Sequence, residues 1–489
     1  MSTIIEQEPL FTILPVGQEI IFTVSNNSIV ATEKQVKFCC EVHISNDTMP
    51  NTAVSTHLIG IFKVTPNNAG VGIFDMRNII ENYVSADNRS STDNSGTSGP
   101  QFKGTYVNEN TFPLHIIDKF SMSTNISAFM VLQFFVEYLG APNGGTSDPN
   151  VVARADGTTV NSSEYNLFNG YVKHTDIIKI FNNNFGYDTT NFQPGATNRK
   201  FLTNIPLRTG LFAAPVVYTE CFYNDYGTVT IYQPNSITAD QVYAFIINYY
   251  DSDGTFLDTV TVSKAVLNGA YSVGQWTEDT KKQVVYFGCF PGNLQNWSAG
   301  SNIPTASQLE GGYILVSAIN VGNFATMRPL FIKVKCPELI KYEPIRLCWL
   351  NQWGGWDYWT FSLKSVRSFK GKQTTYRQLE GSWNKSLYTV DSHRGGKKTF
   401  RVNSREEIRI NTDYLTEDFN VLFEELINSP EIYILEGYQT DQNFSMLNNY
   451  VTPVTLKSQS MTRKTKVNDK LIQYTFTIEK TKTLRTQSI

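Results

Sequence analysis

Two pairs of adjacent glutamates, Glu406-Glu407 and Glu424-Glu425, are the residues whose types come nearest to acid–base catalysis. A glycosidase needs two carboxyl groups that converge across a cleft of about 5–9.5 Å. Adjacent side chains on a strand or a helix point in different directions, so neither pair converges by itself. The spacing therefore favours a solvated or interfacial face over a catalytic pair.

The segment Asp251-Ser252-Asp253-Gly254 contains the residue types of a calcium loop. It lacks the third acidic ligand and the distal glutamate of such a loop, whereas Asp and Gly are the residues that hairpin turns select for backbone reasons. The sequence has no GxSxG, HExxH, Walker or GxGxxG motif, and its five histidines are scattered. We therefore predict a turn here, and no catalytic residue, metal site, cofactor or enzymatic activity anywhere in the chain.

Four of the seven tryptophans, Trp349, Trp353, Trp356 and Trp359, lie within eleven residues around a predicted turn. Flat aromatic rings stack on sugar faces, so one interpretation is a platform that contacts a glycan. The other is packing in a core or an interface, because tryptophan combines a large apolar area with one polar group. We favour packing and keep glycan contact as the alternative.

A basic stretch runs from Lys364 to Arg409 and holds twelve lysines and arginines against four acids. Its candidate interface residues are Arg394, Lys397, Lys398 and Arg401. In a ring of identical subunits, this stretch of one copy would meet an acidic part of the next. The alternatives are a solvated loop and a nucleic-acid contact, which needs the charge on one face together with stacking aromatics.

The uneven distribution of charge along the chain supplies an acidic surface that could meet this basic stretch. Residues 1–200 carry 12 basic and 18 acidic side chains, whereas residues 346–489 carry 21 and 15. The net charge of −3 argues against a general nucleic-acid binder. Only 17% of the residues are charged, against a typical ~25%, and 25 Tyr and 31 Phe suit protein–protein contact.

The six cysteines contain no CxxC pair, and the adjacent Cys39 and Cys40 would point to opposite faces of a strand. We expect six free thiols, which indicates folding in a reducing cytoplasm. The N-terminus lacks the apolar core of a signal peptide. Since no apolar run approaches the length of a membrane helix, we predict no membrane span.

The elements that position these residues are predicted to be mainly strands. Apolar residues alternate with polar ones across residues 36–44, and a hairpin is predicted over 243–262. Short helices are predicted after Asp75, to residue 83, and from Glu417 to Asn428. An irregular stretch is expected over residues 140–163.

A chain of 489 residues is too long for one hydrophobic core. We predict a mainly-β fold with two to three β-sandwich-like domains and a few short helices. The expected domains are an N-terminal β-rich domain with long loops, a middle β-sandwich-like domain and a C-terminal β domain with one helix. They cover residues 1–200, 201–341 and 342–489.

The sequence resembles virion proteins of tailed bacteriophages, particularly tail-tip and tail-adaptor proteins of phages that infect Bacteroides-like hosts. The resemblance lies in four stretches whose order and spacing span most of the chain: Gly72–Asp87, Tyr342–Tyr358, Leu426–Tyr433 and Val467–Thr475. It implies a virion role and no catalytic residue.

From the resemblance we expect a structural subunit of the phage tail, a ring, hub or adaptor protein made in the host cytoplasm. Its expected partners are further copies of itself in a ring, other tail or neck proteins of the virion and, in one alternative, a host surface glycan. That alternative is a carbohydrate-binding receptor or head-fibre protein that uses the tryptophan cluster. A glycan depolymerase is the third hypothesis.

Overall fold

The computed structural model describes the chain outside residues 1, 47–48, 54, 89–113, 118–119, 124, 141–151, 155–158, 180–184, 193, 196–197, 211–213, 234–241, 264–283, 295–302, 337–341, 383, 436–450, 459, 463–471, 483 and 486–489. The chain divides into two compact units. The first comprises Met1–Lys335 with Leu350–Asp357, and the second comprises Cys336–Trp349 with Tyr358–Ile489. The boundaries expected near residues 200 and 341 stay predictions.

The N-terminal part of the first unit is a β-sandwich. Its strands, and one strand of a later sheet, are β1 Ile4–Gln7, β2 Ile13–Pro15, β3 Ile21–Ser25, β4 Lys34–Ser45, β5 Leu58–Val64, β6 Val71–Asp75, β7 Phe120–Met122, β8 Ser127–Leu139, β9 Val152–Arg154, β10 Val160–Asn161 and β11 Tyr165–Phe168. A seven-stranded sheet has the order β2-β11-β8-β4-β5, with β9 and β10 also paired to β8, and a smaller sheet has the order β1-β3-β6. Both sheets contribute to one core, in which the rings of Phe22 and Phe74 lie 5.7 and 5.5 Å from that of Phe134.

The rest of the first unit holds a second pair of sheets. Its strands are β12 Ile178–Lys179, β13 Phe185–Gly186, β14 Leu207–Arg208, β15 Val216–Cys221, β16 Thr228–Tyr232, β17 Ala244–Tyr250, β18 Phe256–Ser263, β19 Val284–Gly288, β20 Tyr313–Ile319 and β21 Leu330–Val334. Six form a sheet in the order β14-β15-β21-β20-β17-β18, and β16, β19 and β7 form a smaller one. Phe245 of β17 stacks on Phe287 of β19, with ring centroids 4.2 Å apart, so the two sheets share apolar packing.

An eight-stranded sheet with a helix packed on it lies mostly in the second unit, whereas the ends of two of its strands, Leu350 and Trp356–Asp357, belong to the first. The strands are β22 Ile345–Leu350, β23 Trp356–Phe361, β24 Val366–Gln378, β25 Gly396–Asn411, β26 Ile432–Leu435, β27 Val451–Leu456, β28 Thr475–Lys480 and β29 Leu484–Arg485. Their order is β23-β22-β26-β27-β28-β25-β24, with β29 on β25. The helix Asn420–Asn428 buries Phe423, whose ring lies 5.7 Å from that of Phe476 on β28.

The helices are short, as predicted. They are Asn27–Thr32, Arg77–Ile80, Pro291–Leu294, Ala306–Leu309 and Asn420–Asn428, with 3₁₀ turns at Ser55–His57, Glu81–Tyr83, Leu114–Ile116, His174–Asp176, Thr190–Phe192 and Glu417–Phe419. The helix predicted after Asp75 becomes a 3₁₀ turn at Glu81. The helix predicted from Glu417 begins with a 3₁₀ turn.

The mainly-β class with short helices is confirmed. The predicted hairpin is β17 and β18, paired from Ala244–Ser263 to Tyr250–Phe256. The stretch expected to be irregular over residues 140–163 contains strands β9 and β10, which pair with β8. Residues 141–151 and 155–158 of that stretch lie outside the described residues.

All six cysteines are free, and five of them are buried. Within the described chain, no helix has the length and hydropathy that crossing a membrane requires.

Candidate interaction surface

Among the described residues of the second unit, the hairpin of β24 and β25 forms a largely exposed surface. With the connecting residues 379–395, we call it the ribbon. Its strands pair in antiparallel register from Val366 opposite Arg409 to Gln378 opposite Gly396. Every residue of β24 is exposed except Tyr376 and Gln378, which are half-buried. The ribbon covers nearly the same residues as the basic stretch from Lys364 to Arg409.

Local sequence explains why this segment is a hairpin. β24 contains Thr374, Thr375 and Tyr376 in a row, which are residues that favour strands. The chain re-enters β25 through Gly395 and Gly396, whose φ angles of 93° and 71° lie in the region that glycine adopts without a Cβ penalty. A bulge follows, and it locally changes the twist of the ribbon.

At its base the ribbon belongs to the sheet. β25 pairs with β28 over residues 407–411 and with β29 over residues 403–404. Among the described residues, no strand pairs with β24 on its outer edge or with β25 before residue 403. Residues 373–378 and their partners therefore extend as a two-stranded ribbon for about 20 Å, at the strand rise of roughly 3.3 Å per residue.

One face of the base is neutralised by ion pairs with Glu407 and Glu479. Lys370 Nζ lies 2.5 Å from Glu407 Oε2, and Lys457 Nζ lies 2.8 Å from Glu479 Oε2. Arg405 is 3.3 Å from the other oxygen of Glu479. The hydrogen bond from Lys457 is the main reason that the pKa of Glu479 is lowered, and the charges of Lys457, Arg405 and Lys370 add to it.

The other face of the base is neutralised in the same way by Glu406. Arg367 lies 2.7 Å from Glu406 and 2.6 Å from Glu343, and Lys480 lies 3.3 Å from Glu406. Partial burial raises the pKa of Glu406, but the hydrogen bonds and charges of Arg367 and Lys480 outweigh it, so the pKa is lowered overall. The adjacent Glu406 and Glu407 thus point to opposite faces and hold the base together, as expected for neighbours on a strand.

The distal half of the ribbon differs because its strand residues, 371–378 and 396–402, include basic side chains and no acid. Cross-strand partners share a face, and Arg401 lies opposite Thr374 while Lys398 lies opposite Tyr376. Lys372 shares this face by alternation. We call the surface of Lys372, Lys398 and Arg401 the distal basic face. Within the described part of the chain, none of the three has an ion pair, although Lys398 donates to a backbone carbonyl.

The candidate residues Lys397 and Arg394 lie elsewhere on the ribbon. Lys397 is paired with Arg377, so the two occupy the face opposite the distal basic face. Arg394 lies in the connection and is 3.6 Å from Asp391. The sequence placed Lys397 and Lys398 in one group, whereas the strand alternation separates them.

The connecting residues carry an apolar tip, which sequence reasoning missed. Leu379, Leu387, Tyr388 and Val390 are 57%, 75%, 60% and 68% exposed. The tip is ordered by cross-strand bonds, since Ser382 N donates to the Thr389 carbonyl at 3.1 Å and the two hydroxyls lie 2.8 Å apart. The sequence feature that could have predicted this tip is the run Leu387-Tyr388-Thr389-Val390, which is largely apolar and is flanked by polar residues.

The four tryptophans of the sequence cluster are buried, unlike the ribbon. Trp349, Trp353, Trp356 and Trp359 are at most 4% exposed. Trp349 and Trp359 belong to the second unit, where the Trp359 ring lies 5.2 Å from that of Phe419. This burial corresponds to the packing alternative, because buried rings present no flat face to a sugar.

Trp353 and Trp356 belong to the first unit, and each has a partner for its single polar group. Trp353 Nε1 donates to Asn204 Oδ1 at 3.0 Å, and Trp356 Nε1 donates to the Asp87 carbonyl at 3.1 Å. The turn between them is closed by Asn351, whose Oδ1 accepts from the backbone of Trp353 and Gly355.

The other acidic side chains singled out in the sequence lie in a turn and in a helix. Asp251 Oδ1 accepts from the backbone N–H of Asp253 at 3.0 Å and of Thr255 at 2.7 Å, as in a turn. Glu425 is buried in the helix of the second unit, while Glu424 is half-buried. Over the described ranges, no group of three His, Cys, Asp or Glu side chains is arranged to hold a metal ion.

In comparisons with known proteins, no family model and no curated protein matches the chain.

Proposed function

We propose that the chain is a non-enzymatic structural subunit of a symmetric assembly, and that the assembly is the tail of a bacteriophage virion. The position within the tail that we propose is a ring, hub or adaptor. The resemblance of four sequence stretches to tail-tip and tail-adaptor proteins supports the virion. The ribbon is the observation that supports a role in assembly.

The ribbon supports assembly because an isolated chain leaves its two strands and its apolar side chains exposed to water. A two-stranded hairpin without further packing is at best marginally stable in water. This one exposes Phe369 to 72% and Phe400 to 51%, in addition to its apolar tip. Such a projection is stabilised when a partner covers it, and closed symmetry repeats each such contact around a ring.

The experiment is to determine the mass of the purified chain in solution by mass photometry, followed by electron microscopy of the largest species. We expect a discrete oligomer with closed rotational symmetry. Virions labelled with an antibody against the chain should carry the label on the tail.

Two results would contradict the proposal. A chain that stays monomeric at every concentration, with label absent from the virion tail, would remove both the oligomer and the virion. Sustained release of reducing ends from a host polysaccharide, lost on one Asp→Asn or Glu→Gln substitution, would make the chain a depolymerase instead.

A further inference from the structure

We infer that the ribbon of one copy docks on the outer face of the β1-β3-β6 sheet of the next copy. The inference rests on the proposed function, since it needs an assembly in which copies of the chain meet. It identifies the partner of the distal basic face and of the apolar tip as a second copy of this chain, and it names the surface that receives them.

The receiving surface is the side of the small sheet that faces away from the core. Phe22, Val24 and Phe74 point into the core, so their strand neighbours point outward. Ile73 of β6 lies opposite Thr23 of β3 on this outer side and is 52% exposed. Ile4 of β1 is 55% exposed. These two exposed isoleucines lie on the outer strands of the sheet, on either side of β3.

The same sheet is acidic. Its three strands, IIEQ, IFTVS and VGIFD, contain Glu6 and Asp75 and no basic residue. Both carboxylates are exposed, and so is Glu19, which precedes β3. Glu6 accepts from Ser25 Oγ at 2.5 Å and Asp75 accepts from the Arg77 N–H at 3.1 Å, so local hydrogen bonds hold both carboxylates in place.

The two surfaces are complementary in both respects. The ribbon offers Lys372, Lys398 and Arg401 without acidic partners in the described chain, next to exposed apolar side chains at its tip. The outer face offers carboxylates without basic neighbours in its strands, next to exposed isoleucines. Complementary charge around an apolar contact sets the orientation and the association rate of an interface, and the apolar contact contributes the binding energy.

Nucleic acid is the competing partner for a basic ribbon, and the observations favour protein. Phosphate contact rewards positive charge but not the four exposed apolar side chains of the tip. The exposed tip fits a partner that presents apolar side chains beside its charges. A neighbouring protein copy does so, and a contact between two different surfaces of identical chains closes into a ring when the rotation allows.

The test measures self-association of the full chain by sedimentation velocity at low and high salt. Variant one is Lys398→Glu with Arg401→Glu, on the distal basic face. Variant two is Glu6→Gln with Asp75→Asn, which removes charge from the outer face and keeps oxygen acceptors for both hydrogen bonds. We expect each to weaken association roughly tenfold at low salt and less at high salt.

The matched control is Arg377→Glu with Lys397→Glu, which makes the same charge change at the same height on the opposite face of the ribbon. We expect this control to weaken association less than variant one. Circular dichroism of every variant checks the fold. Combining variant one with Glu19→Lys should restore part of the lost association, because the reversed charges again attract.

The outcomes separate the two proposals. If the wild type forms oligomers and variants one and two leave them unchanged, the inferred contact is wrong and the proposed function stands. If the wild type stays monomeric, the inferred contact is wrong, and the antibody label on the virion tail then decides the virion part of the proposed function. If variant one instead loses binding to a fluorescent DNA oligonucleotide without any change in self-association, the ribbon is a nucleic-acid element and the inference is overturned.

Discussion

Two consecutive hairpins of the eight-stranded sheet differ in how far their residues are buried. The first, β22 and β23, which we call the tryptophan hairpin, buries every residue of both strands. The second is the ribbon, in which the only buried strand residues are Ile408 and Ile410 at its base. In each hairpin two consecutive strands are hydrogen-bonded neighbours, so pairing alone does not decide whether a hairpin is buried or exposed.

Side-chain chemistry accounts for the difference. The strands of the tryptophan hairpin read IRLCWL and WDYWTF, and their large apolar groups stabilise the fold when they leave water. In the ribbon, β24 reads VRSFKGKQTTYRQ, with a charged or amide side chain at six of its thirteen positions. Removing those groups from water without partners is costly, so the ribbon stays exposed in the single chain. The buried hairpin therefore contributes to the fold, and the exposed one is the hairpin for which we propose an interaction.

The comparison is tested most strongly by truncating one aromatic residue in each hairpin. Trp359→Ala removes a buried ring that lies 5.2 and 5.7 Å from Phe419 and Phe423, and we expect it to lower the free energy of unfolding by about 3–5 kcal/mol. Phe369→Ala removes a ring that is 72% exposed and should change it by less than about 0.5 kcal/mol. Urea unfolding measures both. Equal losses would show that the ribbon is as integral to the fold as the tryptophan hairpin.

Thiol reactivity should separate the hairpins next. Cys348 of β22 is fully buried, and burial raises the pKa of its thiol, so the reactive thiolate is scarce. A cysteine introduced by Thr374→Cys on the exposed ribbon should alkylate roughly a hundredfold faster, because it needs no opening of the fold. Peptide mass spectrometry after timed alkylation of the native chain gives both rates. Comparable rates would mean that the tryptophan hairpin opens readily.

Shortening the ribbon tests whether its distal half serves assembly rather than folding. We would replace residues 373–402 by Asn-Gly, because Lys372 and Asn403 are cross-strand partners that such a two-residue turn can join. We expect the thermal midpoint to stay within about 2 °C, while self-association falls at least tenfold. The wild type is the control for both measurements. A large loss of thermal stability with unchanged association would reverse the assignment.

The smallest expected effect concerns the ion pairs at the ribbon base. The pKa of Glu479 is lowered from its ordinary 4.5, chiefly by the hydrogen bond from Lys457. A carboxylate whose pKa is lowered in the folded state stabilises the fold at pH values above its ordinary pKa. That stabilisation is lost as the pH falls through the pKa of the folded state. Because the partner side chains are exposed, solvent screening limits the contribution to no more than about 1 kcal/mol.

Glu479→Gln should therefore lower the thermal midpoint slightly at pH 7 and reduce the loss of stability on acidification below pH 4.5. Thermal unfolding of both proteins at a series of pH values measures this. Glu424→Gln, a change at a half-buried helical glutamate, is the control. Parallel pH profiles for Glu479→Gln and the wild type would show that these ion pairs contribute no measurable stability.

Local patterns in the sequence predicted much of the secondary structure. The β4 strand, the β17–β18 hairpin and the helix before Pro430 follow from alternation, turn residues and helix-boundary signals that act over a few residues. The basic stretch was also visible, because charge is a property of composition. These signals need no knowledge of which segments meet in space.

Which of these segments are buried and which are exposed depends on contacts between distant parts of the chain. The tertiary structure buried all four tryptophans, and through a bulge in the register it placed Lys398 and Arg401 on one face of the ribbon. It also paired Glu406 with Lys480, which lies 74 residues along the chain, and left the distal basic face without such partners in the described residues. Pairing between distant segments depends on the whole arrangement of the sheet, so no local pattern in the sequence contains it.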